Sequence, residues 1–267
     1  MQRRSLPYQQ KRSLSQVFLK QTWPGQRIIE RLHAWNVKNV LEIGPGPGIL
    51  TKALLAEDFA VTAVEKDTRF AELVGDVART NPKLEVVNSD ILKFDLAEWV
   101  GRSRERCAVV GNIPYNISSP ILLWGLPHLD QMAGMIVMVQ LEFAQRVVAG
   151  VGTKAYGSLS VFTQLRSKTD FEAKVDRACF SPVPAVDSAI ISLTPIKSDI
   201  SVDLLQKVET VTRTCFMQRR KMLRNGIRQW IKNQNEADCP IDLDRRPETL
   251  TPAEFVRLTQ FLFSEQT

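Results

Sequence analysis

Among the 267 residues no run of about 18 apolar residues occurs, so no membrane-spanning helix and no membrane partner are expected. Cysteine is sparse and scattered: Cys107, Cys179, Cys215 and Cys239 form no C-x-x-C pair. That spacing excludes a zinc ribbon, and a disulfide framework is not expected in so large a chain. The four read as reduced thiols of a cytoplasmic protein. Histidine is nearly absent, and His33 and His128 are too isolated to suggest a metal site. No internal repeat and no low-complexity tract are present. Acid is missing from two stretches. Met1–Lys20 carries Arg3, Arg4, Lys11, Arg12 and Lys20, and the second run carries Arg219, Arg220, Lys221, Arg224, Arg228 and Lys232. Within a net charge of +6, these clusters read as phosphate-contacting surface or as solvated helix faces.

What is present describes a globular protein with a sizeable core: 44% hydrophobic and 24% charged residues. The basic start has no hydrophobic signal region or cleavage site and is expected to belong to the mature protein. A helix is expected from Pro24 or Gly25 to Trp35, with Ile28, Ile29, Leu32 and Trp35 on one face. Then come a strand at Asn39–Ile43, a turn with Gly44, Gly46 and Gly48, and a helix from Ile49. The next strand, Ala60–Val64, ends at Glu65, about 20 residues past the glycines, where a carboxylate would meet ribose hydroxyls. The alternative is an ordinary βαβ unit whose Glu65 is merely exposed. A helix over 67–80 and a strand at Leu84–Asn88 follow. Asp90 is placed either to accept from an exocyclic amine or to cap the next turn.

The apolar strand Cys107–Val110 runs into Gly111-Asn112-Ile113-Pro114-Tyr115. Open α/β sheets place ligands at the carboxyl ends of their strands. Asn112 offers an acceptor and a donor, Pro114 stiffens the loop, and Tyr115 provides a flat face for a base. The alternative is an ordinary strand-ending turn. A helix at 119–126, a buried strand at 134–139 and a helix at 141–149 come next. Periodicity leaves 158–167 open between helix and strand. Thr169–Val175 and Ser188–Leu193 alternate like an antiparallel pair closing the sheet. Between them, Pro182 and Pro184 stiffen a loop in which Phe180 is either presented for a flipped base or packed in the core. After Pro195 the alternation stops, and 203–216, 219–233 and 252–263 all read as helices. Thr251 and Glu254 form a capping box for the last.

Taken together these residues resemble the KsgA-type small-subunit ribosomal RNA adenine dimethyltransferases. The resemblance is carried by Phe18-Leu19, Glu42-Ile43-Gly44-Pro45-Gly46, Glu65, Asp90, Asn112-Ile113-Pro114-Tyr115, Val139-Gln140, the 156–161 run, Phe180–Ser188 and the 218–225 run. It covers nearly the whole chain. It implies an α/β fold: a Rossmann-like methyltransferase domain with a mostly parallel sheet over 1–197, including the basic segment 1–23, and a small all-helical RNA-contacting domain over 198–267. It further implies S-adenosylmethionine (SAM) over the glycine turn, near Gly44 and Gly46, with Glu65 on the ribose hydroxyls and Asp90 on the adenine amine. Val17, Leu19, Lys66, Ile91 and Asn112 complete that set. Asn112 and the backbone around Pro114 would take the target amine, and Tyr115 and Phe180 would stack on the target base. Arg219, Arg220, Lys221 and Arg224 would contact RNA. Where the family usually shows Gln-Asn-Phe-Leu, this chain has Gln16-Val17-Phe18-Leu19, so Val17 supplies no side-chain amide.

The resemblance implies dimethylation of two adjacent adenosines in the 3′-terminal hairpin loop of small-subunit RNA, within a pre-ribosomal subunit, by a monomer needing no metal. The alternatives are a large-subunit methylase of the macrolide-resistance type and a non-catalytic nucleic-acid-binding relative acting in transcription or assembly. A nicotinamide dehydrogenase would leave the Asn112 loop and the basic clusters without a role.

Overall fold

A computed structural model describes residues 17–232 and 234–264. Arg3, Arg4, Lys11 and Arg12 of the first basic cluster, with Gln16, lie outside the described residues. In chain order the elements are β1 (Phe18–Leu19), α1 (Trp23–Ala34), β2 (Asn39–Ile43), α2 (Ile49–Ala56), β3 (Ala60–Glu65), α3 (Thr68–Ala78) and β4 (Leu84–Asn88). Next are α4 (Leu96–Arg102), β5 (Cys107–Asn112), α5 (Ser118–Gly125), β6 (Gly134–Gln140), α6 (Leu141–Val147) and α7 (Ser158–Gln164). β7 (Ser167–Val175), β8 (Phe180–Ser181) and β9 (Ser188–Pro195) follow, then α8 (Val202–Met217), α9 (Leu223–Gly226), α10 (Arg228–Ile231) and α11 (Pro252–Leu262).

Seven strands form one sheet in the order β4-β3-β2-β5-β6-β9-β7, with parallel pairing from β4 through to β6. Near-continuous apolar strands such as Val109-Val110 and Met135–Val139 are what a sheet covered on both faces requires. The order reverses between β2 and β5, so their carboxyl ends open a crevice at a topological switch point. Gly111 is needed there: a Cβ would stand 2.8 Å from the Ile43 carbonyl of β2. The resemblance's Rossmann-like architecture is therefore the observed one. The segment expected to be helix or strand over 158–167 is both in succession, α7 and then the start of β7.

Residue contacts divide the chain into two compact units, Met1–Leu141 with Glu172–Ser192, and Glu142–Phe171 with Leu193–Thr267. This division does not coincide with a boundary at 197/198, because 142–171 groups with the C-terminal helices. In the first unit Ile28, Leu32, Val40, Leu54, Val61, Val110, Ile136 and Ile190 share one core. Arg27 and Arg31 of α1 both pair with the buried Glu172 carboxylate, which also accepts from the Ser192 hydroxyl. Phe180 belongs to this core and is fully buried, paired through β8 with Leu19. The expectation that it is presented to a base is thus corrected. The antiparallel pairing of β8 with β1, Leu19 opposite Phe180, holds Phe180 inward, and burying an aromatic ring there outweighs displaying it.

In the second unit, Tyr156 packs edge-on against Phe216 and Phe216 tilted against Phe255, with centroids 6.0 and 5.9 Å apart, and the Tyr156 hydroxyl donates to the Leu250 carbonyl at 2.9 Å. The helix expected over 219–233 is broken into the single turns α9 and α10. The Leu223 and Arg224 N–H groups donate outward, to the Arg245 and Leu243 carbonyls, rather than back along a helix. Gly226, a poor helix former, lies close against the Cys215 backbone. α11 has the capping box: Thr251 Oγ1 accepts from Glu254 N at 3.2 Å, and Glu254 Oε2 accepts from Thr251 N at 2.8 Å.

Arg245 pairs with Glu254 at 2.6 Å and holds its carboxyl down at about 2, below its ordinary 4.5. A depressed acid contributes stability that is full above its unfolded value and lost as pH falls through the folded one. Between about pH 4.5 and about pH 2, the melting temperature of the wild type should therefore fall more steeply than that of Glu254→Gln. Parallel thermal-melt profiles would show that this pair is energetically idle.

Candidate active site

The crevice at the switch point is lined by Val17, Leu19, Gly44, Gly46, Glu65, Lys66, Asp90, Ile91, Asn112, Pro114 and Tyr115. Eleven residues expected from separate stretches thus face one cavity. Four strand ends and the N-terminal ribbon deliver them: β2 carries the glycine turn, β3 ends on Glu65, β4 leads into Asp90 and Ile91, and β5 ends on Asn112.

Glu65 is buried, yet both carboxylate oxygens are bonded. Oε2 accepts from Gly46 N at 3.0 Å and Oε1 from Asp67 N at 2.8 Å. Burial pushes its carboxyl upward, and these backbone donors oppose the shift. Gly46 adopts φ +53°, and a Cβ there would meet the Phe18 ring at 3.0 Å. The glycine consequently admits Phe18, which also packs edge-on against Phe70 at 5.1 Å. Sequence reasoning assigned this glycine to the ligand alone.

Asp90 caps the short turn after β4, accepting from Leu92 N at 3.1 Å, and binds Lys66 Nζ at 2.8 Å. The Lys66 ammonium holds its carboxyl below the usual range. Asp90 is thus a capping residue that also faces the cavity. Asn112 Nδ2 donates to the Val17 carbonyl at 2.9 Å, so Val17 enters the site through its backbone. Because a carbonyl can only accept, the amide nitrogen must face Val17, which leaves Asn112 Oδ1 as the acceptor. Pro114, at φ −56°, has its carbonyl engaged by Ile117 N. The Tyr115 hydroxyl lies 2.7 Å from Ser188 Oγ, and burial raises its phenol.

Glu42 is a lining residue that sequence reasoning left without a role. It is 2% exposed, its Oε2 has no hydrogen-bond partner, and burial raises its carboxyl to about 7. The available signal was a carboxylate inside the otherwise apolar run Val40-Leu41-Glu42-Ile43. Glu42, Glu65 and Asp90 give the cavity an acidic wall, suited to a cationic ligand. Among the described residues, no group of three or more His, Cys, Asp or Glu could hold a metal ion, and no helix is long and apolar enough to cross a membrane.

Phe180 is absent from this cavity, and Arg219, Arg220, Lys221 and Arg224 lie in the second unit. Those four cations are not equivalent. Arg219 donates to the Lys154 and Thr153 carbonyls at 2.7 and 3.0 Å, and Arg224 pairs with Asp244 and Glu236. Acids remote in sequence therefore enter a stretch that carries none of its own. Arg220 and Lys221 are exposed and have no acidic partner among the described residues.

A family model for ribosomal RNA adenine dimethylases matches residues 8–263. A ribosomal RNA small subunit methyltransferase A of Psychrobacter cryohalolentis is 37% identical, covering 96% of this chain and 92% of its own length. The same-named protein of Erythrobacter litoralis is 41% identical over 84% of this chain and 80% of its own. Among solved structures, a dimethyladenosine transferase from Plasmodium falciparum matches with a TM-score of 0.71 at 25% identity, over 90% of this chain and 95% of that one. The 23S rRNA methyltransferase ErmE matches at 0.69 and 30% identity, over 92% and 100%.

A raised acid beside a bound cation is driven to ionise, so binding of SAM should expel a proton from Glu42 near pH 7. Affinity should accordingly rise as pH climbs through about 7. Titration calorimetry in two buffers of different ionisation enthalpy should show less proton release for Glu42→Gln than for the wild type. Equal release from both proteins would remove Glu42 from the cationic site.

Proposed function

The chain belongs to the ribosomal RNA adenine dimethylase family, and on that premise we propose that it dimethylates the exocyclic amines of two adjacent adenosines in small-subunit ribosomal RNA. The observation that carries this reading is the convergence of Asn112, Pro114 and Tyr115 with Glu65 and Asp90 around one cavity. The small subunit is preferred because the curated relatives, at 32–41% identity, are named for it. The likeness to ErmE speaks for the shared adenine chemistry. The target is taken to be the 3′-terminal hairpin loop within an assembling subunit, and the protein to act as a cytoplasmic monomer.

When bound, SAM supplies a methyl group already activated on a sulfonium. Glu65 would hold the ribose hydroxyls with the lone pairs its two backbone bonds leave free. Asp90, steadied by Lys66, would accept from the adenine amine, while Val17, Leu19, Gly44 and Ile91 shape the walls. An adenine amine is a weak nucleophile because its lone pair is delocalised into the ring. Asn112 Oδ1 would accept one of its hydrogens and favour a pyramidal nitrogen, and the Tyr115 face would hold the base. No strong base is required, since alignment with the sulfonium carbon contributes much of the rate. Arg220 and Lys221 would meet phosphates, whereas Arg219 and Arg224 shape the loop that presents them.

Asn112→Ala should lower the single-turnover rate on the order of a hundredfold at saturating SAM and RNA, with little change in RNA affinity. A near-normal rate would return this loop to an ordinary turn. Changing Arg220 and Lys221 together to Gln should reduce the salt slope of RNA binding by roughly 1.5, the share of two phosphate contacts. An unaltered slope would make them a solvated face.

A further inference from the structure

Tyr115 is held at both ends. Its backbone continues the stiff Pro114 turn, and its hydroxyl meets Ser188 Oγ at 2.7 Å. Ser188 is fully buried as the first residue of β9, next to β6 in the sheet. The residue before it is fixed from three directions. The Asp187 carbonyl accepts from Leu141 N, Oδ1 accepts from Arg177 N at 3.1 Å, and Oδ2 pairs with Lys174 at 2.8 Å. Ser188 Oγ is therefore a fixed point in the frame of the sheet, while Tyr115 belongs to a loop at the cavity.

We propose that Ser188 is a positioning residue for methyl transfer, setting the tilt of the Tyr115 ring against which the target base rests. The inference builds on the proposed role of Tyr115. A hydrogen bond at the far tip of a tyrosine fixes χ1, and the preference of the phenol for an in-plane partner resists rotation of the ring about its own axis. Tyr115 is three residues from Asn112, so any tilt of the ring shifts a base resting on it relative to Asn112 Oδ1. Small misplacements at a reacting centre cost rate out of proportion to their size. The second transfer is the more exacting, because a methylamine leaves less freedom than an amine. Ser188 thereby bears on the yield of dimethyl over monomethyl product.

The test uses the full chain, SAM and small-subunit RNA lacking the modification. Single-turnover rates are measured at saturating concentrations of both, with the two products counted separately. Ser188→Ala and Tyr115→Phe remove the same bond from opposite sides. Each should slow transfer by roughly three- to tenfold, the scale of one hydrogen bond. The double variant should be no slower than the slower single one, the dimethyl fraction should fall, and SAM and RNA affinities should hold. Should Ser188→Ala fail to fold, Tyr115→Phe carries the same measurement. Normal rates and product ratios in both single variants, with only a lowered melting temperature, would reduce Ser188 to satisfying a buried hydroxyl and overturn the proposal. Losses that multiply in the double variant would overturn it as well. Tyr115→Ala separates this failure from that of the underlying reading. A slow Tyr115→Ala beside normal Ser188→Ala and Tyr115→Phe defeats the positioning role alone, whereas a normal Tyr115→Ala removes Tyr115 from the base and defeats both.

Discussion

The cavity depends on the two backbone bonds that Glu65 accepts. One buried carboxylate ties the glycine turn after β2 to the start of α3 after β3. Left unpaired it would be a desolvated charge of high cost. Paired to Gly46 and Asp67, it fixes the distance between two strand ends and so the width of the crevice. A residue expected either to meet a ribose or to stand exposed is thereby the buried structural keystone of the site, and the lone pairs left over are what a ribose would find.

The same economy appears in the N-terminal ribbon. The ribbon of β1 with β8 brings the N-terminal segment across to the cavity, where Phe18 fills the space that Gly46 leaves and the Val17 carbonyl orients Asn112. The replacement of the family's usual Asn by Val at this position therefore leaves the observed contact intact, since it runs through the main chain. Phe180 is the counterpart of this arrangement. It holds the ribbon down from within the core, and its place there is set by pairing partners about 160 residues away in sequence.

In the second unit, charge is distributed by tertiary contact. Arg219 braces the 153–154 turn, and Arg224 is neutralised by Asp244 and Glu236, so two of four neighbouring cations are structural. Of these four, Arg220 and Lys221 are the two that no described acid engages, and so the two proposed to meet phosphate.

Local pattern alone was enough for the strands from β2 to β6, the switch-point glycine turn, the acid at the end of β3 and the capping box of α11. Each is encoded by apolar runs of strand length, by glycine spacing or by Thr251 and Glu254 three apart, and these act over a few residues. Tertiary structure alone decided what distant segments do to one another. It buried Phe180, broke 219–233 into two turns by claiming the Leu223 and Arg224 amides, supplied acids to an acid-free run, and placed Ser188 at the Tyr115 hydroxyl. The physical reason is common to all four. A side chain's burial and hydrogen-bond partners are properties of the packed neighbourhood, and no spacing within one segment specifies which other segment will arrive there.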